Sequence, residues 1–372
     1  MSINNRFVKF DKRPAGAPTP DVFSVQSQKL RAIKDGEFLM RNIYLSMDPA
    51  LVGRMRDEDN YAEKVNPGEV MHAYGVCQVV ESNNPKVKVG EVRMGRVDMQ
   101  QYTISKDDDA FKKINQGLAK ATHFLGAVGL TGVTAYFAMR EIAQPKPGET
   151  VLISAGASSV GSIAAQIAQL NNCRTVAIVS TDEKAAQVKQ DWGYDAAISY
   201  RGKSIEQLSQ DIKKACPKGV DIYFDNTSGD ISEAVMDNYS LGARVAVVGR
   251  LAISHLTDTR LDKGRRDSNV MLTRRVKRQG FVILDYQKRF KGAIIQLALW
   301  IKQGKIKSKE DILIGIENAP DAFFRMLDGK NNGKQLVKLA DIDNSINPDS
   351  PLAGRMILSK WFPSNFLIKK LS

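Results

Sequence analysis

The chain has 372 residues, 43% hydrophobic and 26% charged, which is ordinary globular usage and longer than one typical domain. A formal charge of +13 raises nucleic-acid binding, but the basic residues are scattered, with short concentrations at Arg265-Arg266, Arg274 to Arg278 and Lys369-Lys370, and no aromatic stacking platform interleaves them. No run approaches the roughly 18 apolar residues of a membrane helix, the N-terminal stretch has no apolar signal core, and Cys77, Cys173 and Cys216 are too far apart for a disulfide scaffold or a close metal set. Together these exclude nucleic-acid and membrane classes and favour a cytoplasmic protein of enzyme size.

Up to about residue 120 the chain reads as short β-like runs, such as 38–45, 74–80 and 101–104, broken by Asn66-Pro67-Gly68 and Asn83-Asn84-Pro85. Near residue 121 the texture changes. Gly126, Gly129 and Gly132 lead into a helix over 133–139, and Pro145 to Glu149 turns the chain into an apolar strand at 150–154. A helix over 162–170, a strand at 175–179 and a helix over 183–192 follow. Further strands fit 196–199, 220–224 and 243–248. Strand and helix in alternation predict a doubly wound α/β domain with a parallel sheet. After about 310 the strand-and-turn character returns, with Asn331-Asn332-Gly333 ahead of a strand at 334–338. The simplest organisation is a β-rich domain over 1–130, a cofactor domain over 131–310 inserted into it, a return to the β-rich domain over 311–343, and an extension over 344–372 that is open to packing or disorder.

The chief mechanistic signal is Ile153-Ser-Ala-Gly-Ala-Ser-Ser-Val-Gly-Ser162, placed between a strand and a helix. There Gly156 can turn tightly and Gly161 can let the helix approach closely. Ser158, Ser159 and Val160 complete the turn, and the helix that follows offers an N-terminus whose free N–H groups can receive a pyrophosphate. The spacing is G-x-S-x-x-G, with Ser158 where the fingerprint keeps its middle glycine. The end of the second strand speaks to the cofactor. An NAD site places Asp or Glu there to grip the ribose hydroxyls, whereas here Val179 is followed by Ser180, with Lys184 one helical turn on. A hydroxyl and an ammonium suit an adenosine 2′-phosphate, and Tyr200, with Arg201 beside it, ends the third strand on the same side. Asp182, next to these, is a candidate helix cap. The cofactor expected is NADPH.

Zinc chemistry finds little support. The only histidines are His72, His123 and His255, and Cys77 five residues after His72 lacks a third ligand. Without a Lewis acid to polarise an alcohol oxygen, the sequence favours hydride addition to an activated carbon such as the β-carbon of an enone.

Several strings carry a family resemblance over about residues 40 to 340: Asn42-Ile-Tyr-Leu-Ser-Met-Asp-Pro49 with Arg54-Met55, Phe124 to Phe137, Pro145 to Thr150, Thr181 to Lys184, Gly219 to Asn226, Gly280 to Tyr286, Glu317 to Pro320 and Gly329-Lys-Asn-Asn-Gly-Lys-Gln335. In these the chain resembles the zinc-independent medium-chain dehydrogenase/reductase family that includes prostaglandin and leukotriene reductases, 2-alkenal double-bond reductases and curcumin-reductase-like proteins. The resemblance implies a GroES-like catalytic domain, a Rossmann nicotinamide domain and a homodimer. It also implies NADPH-dependent reduction of the carbon–carbon double bond of an enal or enone, with hydride going to the β-carbon. Lys184 and Tyr200 match residues at the adenosine phosphate, Asn331 matches an asparagine near the cofactor, and Asn226 lines the nicotinamide channel. Tyr44 and Met47-Asp48 fall on the substrate side, with Tyr44 a candidate catalytic residue or, equally, a core aromatic. The loop after Gly249 departs from the family, since no tyrosine occurs between Tyr239 and Tyr286. His255 is the candidate donor in place of the family's tyrosine. Two other readings stay open: an NADPH-dependent quinone reductase, and a non-enzymatic NADPH-binding protein.

Overall fold

The computed structural model describes residues 3–57, 63–254, 256 and 258–346. The extension expected from residue 344 lies, beyond Ile346, outside the described residues.

A six-stranded parallel sheet forms the first layer system. In chain order its strands are Thr150–Ser154, Arg174–Val179, Ala196–Ser199, Val220–Asp225, Tyr239–Val247 and Lys277–Gly280. Numbered one to six in that order, they lie across the sheet as 3-2-1-4-5-6, the doubly wound Rossmann order. The first strand is therefore central, and the chain reverses its direction of travel between the first and fourth. The central strands are buried on both faces because they are near-continuous apolar runs. Connections run through the helices Ser159–Leu170, Asp182–Trp192, Ile205–Ala215 and Gly229–Met236. Ile205–Ala215 starts on a capping box between Ser204 and Gln207. The sixth strand escaped the sequence reading: it is Lys-Arg-Gln-Gly, exposed throughout, and it is a strand only through its ladder to Arg244–Val247.

The second sheet has seven strands, drawn from Phe38–Ser46, Tyr74–Ser82, Val92–Arg96, Tyr102–Ser105 and Lys112–Lys113, and from Glu310–Ile314 and Lys334–Lys338. Lys334–Lys338 pairs antiparallel with Phe38–Ser46, bringing Leu336 opposite Ser46 and Lys338 opposite Tyr44. An N-terminal hairpin, Asn4–Phe10 with Phe23–Lys29, packs beside it. One hydrophobic cluster runs from one sheet to the other. It joins Ile43, Val76 and Leu336 of the second sheet to Val151, Ile153 and Phe224 of the first through the helix beginning at Leu130. That shared apolar core fixes the two sheets against each other, and the segment Asn331 to Gly333 of the second meets the carboxyl ends of the first two parallel strands at Ser158 and Lys184. Among the described residues no helix is long and apolar enough to cross a membrane.

Candidate active site

The cleft is built on the turn after Ser154. Ala155 takes a left-handed conformation (φ 49°), and the chain enters the helix Ser159–Leu170 at Ser158, whose hydroxyl accepts the Gly161 N–H at 3.0 Å. The two glycines are required by contact. A Cβ on Gly156 would stand 2.7 Å from the Ala177 methyl, and one on Gly161 would stand 2.5 Å from the Ala155 carbonyl oxygen. The buried Tyr194 hydroxyl lies 2.9 Å from Gly156 O and 3.1 Å from Gly161 O, bracing both. Ser158 has φ −73°, which any residue adopts, so the backbone needs no glycine there. Its side chain instead caps the helix, leaving the Ser159 and Val160 amides as the first-turn donors aimed out of the positive helix end. The Ser159 hydroxyl is 2.8 Å from that of Thr131, which itself donates to Gly126 O.

The second strand ends in a basic cradle. Ser180 is buried, and Tyr200 N–H donates to Val179 O at 3.0 Å, setting Tyr200 beside it. The cap of the next helix is Thr181, which accepts the Lys184 N–H. Asp182 is not the cap, because its carboxylate takes the Ser199 hydroxyl. The Lys184 ammonium donates to Asn331 O at 2.6 Å, and the Asn331 amide donates to Gly333 O. Burial lowers the Lys184 pKa; Asp311 opposes that, while Arg201 and Arg325 add to it. Arg201 donates to Asp328 O, and Arg325 pairs with Asp311 at 3.3 Å while its buried Nε has no hydrogen-bond partner among the described residues. A loop of the second sheet, 328–333, thus lies across the end of the second parallel strand, with Gly333 bridged to Ser158. Ser180, Lys184 and Tyr200 come together here with Asn331, which lies 147 residues past Lys184. Arg325 and Asp311 were not singled out in the sequence, since no local pattern links them to this strand end.

At the end of the fourth parallel strand Asn226 ties the switch point together. Its N–H donates to the Ser154 hydroxyl at 2.9 Å and its side-chain amide to Ser154 O at 2.7 Å. Beside Gly126 and Ser159 stands Lys334, 3% exposed, whose ammonium donates to Met47 O at 3.0 Å and pairs with Asp48. Ser46 donates to the second Asp48 oxygen. The Lys334 stem passes 3.5 Å from where a Gly126 Cβ would be, beside the Thr131–Ser159 pair. Asp48 was legible from the Met-Asp-Pro string, but Lys334 as its partner was not. Tyr44 is half-buried against the shared core and faces Lys338 in the ladder. That is four register positions from Lys334, about 13 Å at the strand rise. His255 lies outside the described residues.

The other two histidines are buried away from any ligand set. His72 is pushed down to about 4 by burial, with Arg96 and Arg54 adding to the effect. His123 is lowered by burial against the opposing pull of Glu310, 3.6 Å away. Among the described residues no three His, Cys, Asp or Glu side chains are grouped to hold a metal ion.

Two family models match this chain: one described as the N-terminal domain of oxidoreductase over residues 6–114, and one described as zinc-binding dehydrogenase over 159–299. The NADPH-dependent curcumin reductase of Escherichia coli (strain K12) is 35% identical over 343 residues, covering 91% of this chain and 98% of that one. The chain belongs to the medium-chain dehydrogenase/reductase family. The NADP(+)-dependent 2-alkenal reductase of Nicotiana tabacum is 31% identical over 91% of this chain and 98% of its own. The crystal structure of CurA from Vibrio vulnificus in complex with NADPH superposes with a TM-score of 0.83 at 35% identity, over 90% of this chain and 99% of that one. Within this family of two-sheet oxidoreductases, the turn at Gly156 to Gly161 and the cradle at Lys184 fit a dinucleotide carrying an extra phosphate. The glycines leave the room a Cβ would fill, and the orphaned Arg325 Nε is a donor waiting for an acceptor.

Proposed function

We propose that this protein is an NADPH-dependent reductase of the carbon–carbon double bond of α,β-unsaturated aldehydes or ketones, working without zinc. One observation supports the cofactor choice above others: the end of the second strand carries Ser180 and the Lys184–Asn331 contact beside Arg201 and Arg325, while Asp182 is turned to Ser199 and Asp311 is paired with Arg325. A site for unphosphorylated ribose places a carboxylate at that point. Support for the substrate class comes from the relatives named for curcumin and 2-alkenal reduction.

The Ser159 and Val160 amides would hold the pyrophosphate, and Ser180, Lys184, Tyr200 and Arg201 the 2′-phosphate. Asn331 orients Lys184, and Asn226 fixes the floor of the cleft. When bound, NADPH supplies the hydride. The chain's part is positioning and charge: Asp48 and Lys334 hold the acceptor-side wall, and hydrogen-bond donors meet the oxygen on which negative charge gathers as the β-carbon is reduced. His255 is our candidate donor to that oxygen, and Tyr44 takes a packing role, given its distance along the strand. The α-carbon is then protonated from solvent. We take this chemistry to be independent of zinc because His72 is set between Arg54 and Arg96, a cationic setting unsuited to a metal ligand. We further propose a division into an acceptor domain (1–130 with 311–343) and a cofactor domain (131–310), a homodimer formed through the exposed edge strand Lys277–Gly280, and a cytoplasmic setting consistent with three buried free cysteines.

The test is oxidation of NADPH and NADH, followed by nicotinamide absorbance, against a panel of 2-alkenals, enones and quinones with product identification. Saturated carbonyl products with NADPH support the reading. Turnover of quinones alone moves the protein to the quinone class, and tight NADPH binding with silence across the panel removes the enzyme reading.

A further inference from the structure

Arg56 lies two residues past the short helix Leu51–Arg54, on the segment that begins at Met47-Asp48, and it is buried. Its two terminal guanidinium nitrogens donate to main-chain oxygens of a distant segment, to Ser254 O at 2.6 Å and Leu256 O at 2.7 Å. Those carbonyls belong to the loop that follows the fifth parallel strand. The root of that loop is held from the opposite side. Leu251 N–H donates to Asn226 O, Ala252 N–H to Thr227 O, and the Ser228 hydroxyl to Gly249 O. A Cβ on Gly249 would stand 2.6 Å from Asn226 O, so the root cannot move far from the switch point. The loop is therefore pinned at its root by the nucleotide sheet and at its tip by a side chain from the acceptor sheet. A buried guanidinium must keep its hydrogen bonds, and its planar fork holds two carbonyls at one fixed spacing, which an ammonium does not reproduce.

We propose that Arg56 is a positioning residue: by holding the Ser254 and Leu256 carbonyls it sets the loop after Gly249 over the acceptor end of the cleft, and so determines how the unsaturated carbonyl is seated. The inference rests on the reading of the reaction given above. Both ends of the tether lead to that reaction's machinery. Arg56 continues the segment whose start Lys334 holds beside Gly126, and the loop root rests on Asn226. The tether touches neither the glycine turn nor the Lys184 cradle, so it acts at the acceptor end and leaves the pyrophosphate and adenosine-phosphate contacts, which carry nucleotide affinity, in place.

The experiment compares the full-length wild type with Arg56→Ala and Arg56→Lys. Three quantities are read: amide hydrogen exchange of residues 251–254, NADPH affinity by fluorescence titration, and KM and kcat for an enone. Expected are faster exchange in both variants, an enone KM raised about tenfold or more in Arg56→Ala, an intermediate value in Arg56→Lys, and an NADPH Kd within about twofold of wild type. Faster exchange with unchanged enone kinetics overturns the positioning role, and so does exchange identical to wild type. If the wild type binds NADPH but turns over no acceptor, the reading of the reaction fails by itself. The exchange comparison then decides the tether, and unchanged exchange in Arg56→Ala overturns it.

Discussion

The Lys184 ammonium donates to the main-chain oxygen of Asn331 at 2.6 Å, tying the helix after the second parallel strand to a loop 147 residues further on. A lysine held by one carbonyl keeps two N–H donors for another acceptor. Arg201 and Arg325 stand close enough to perturb its titration. The cluster is net positive at the point where a 2′-phosphate would sit. Lys184→Ala removes a charge-assisted contact worth about 1.5–3 kcal/mol, so KM for NADPH should rise by roughly tenfold to a hundredfold while KM for NADH changes little. Steady-state kinetics with both nucleotides decides it, and equal changes would take Lys184 out of the phosphate site.

Ser158 makes a second prediction because it separates two roles of the glycine fingerprint. Its hydroxyl caps the helix by taking the Gly161 N–H, and its φ of −73° shows that the turn does not need glycine at this position. Ser158→Ala should cost about 1 kcal/mol of stability and Ser158→Gly only a few tenths. Ser158→Gly also frees the Gly161 amide, and NADPH affinity should hold or improve. Thermal unfolding and a nucleotide titration of both variants check this. A large loss of affinity in Ser158→Gly would instead make the hydroxyl a direct phosphate ligand.

Gly161→Ala should behave quite differently. The added methyl would meet the Ala155 carbonyl at 2.5 Å, with Gly156 Cα next at 3.1 Å, and neither is a flexible side chain. The helix must move off the sheet, at a cost of about 1–3 kcal/mol, and its amide donors move with it. A lowered unfolding midpoint together with weakened NADPH binding is expected. Unchanged binding would show that the phosphate cradle does not depend on this close approach.

How much of this was legible follows the range of the interactions. The central strands could be read from runs such as Val151-Leu152-Ile153, because burial on both faces leaves no room for polar alternation. The edge strand Lys277–Gly280 could not, since its four exposed residues carry no pattern and owe their conformation to the neighbouring ladder. The glycine turn was visible with its departure at Ser158, but the reason for the departure appears only in the hydrogen bond to Gly161. Asp182 looked like a cap, and one residue decides otherwise: Thr181 holds the extended N-cap conformation, so Asp182 lies inside the first turn and faces Ser199. Lys334 with Asp48 and Arg56 with Ser254 were illegible, because their partners lie 286 and 198 residues away: the first pair meets only through the ladder of 334–338 on 38–46 within the second sheet, and the second pair only where the two sheets dock.

Asp98 and His72 line a second, polar cleft of about 440 Å³ with Glu63 and Arg96, and their titrations oppose each other. Asp98 sits in the left-handed region at φ 59°, and burial raises its pKa to about 6, with Arg96 opposing. His72 is pushed down to about 4 by burial, with Arg96 and Arg54 adding. For Asp98 the folded pKa exceeds the ordinary 3.8, so the folded state holds more protons between these values. Its contribution is full below 3.8 and is lost as pH rises through 6. For His72 the folded pKa lies below the ordinary 6.5, so the folded state holds fewer protons, and its contribution is lost as pH falls from 6.5 toward 4. Over pH 4 to 6 the two slopes largely cancel. Asp98→Asn removes one of them, and asparagine tolerates the left-handed conformation. The variant should match or exceed wild-type stability at pH 7 and lose stability on acidification about 1.4 kcal/mol per pH unit more steeply than wild type between pH 6 and 4. Urea unfolding of the two proteins across that range measures the slopes directly. Parallel profiles would mean that Asp98 is ionised in the folded protein throughout, its charge compensated by Arg96.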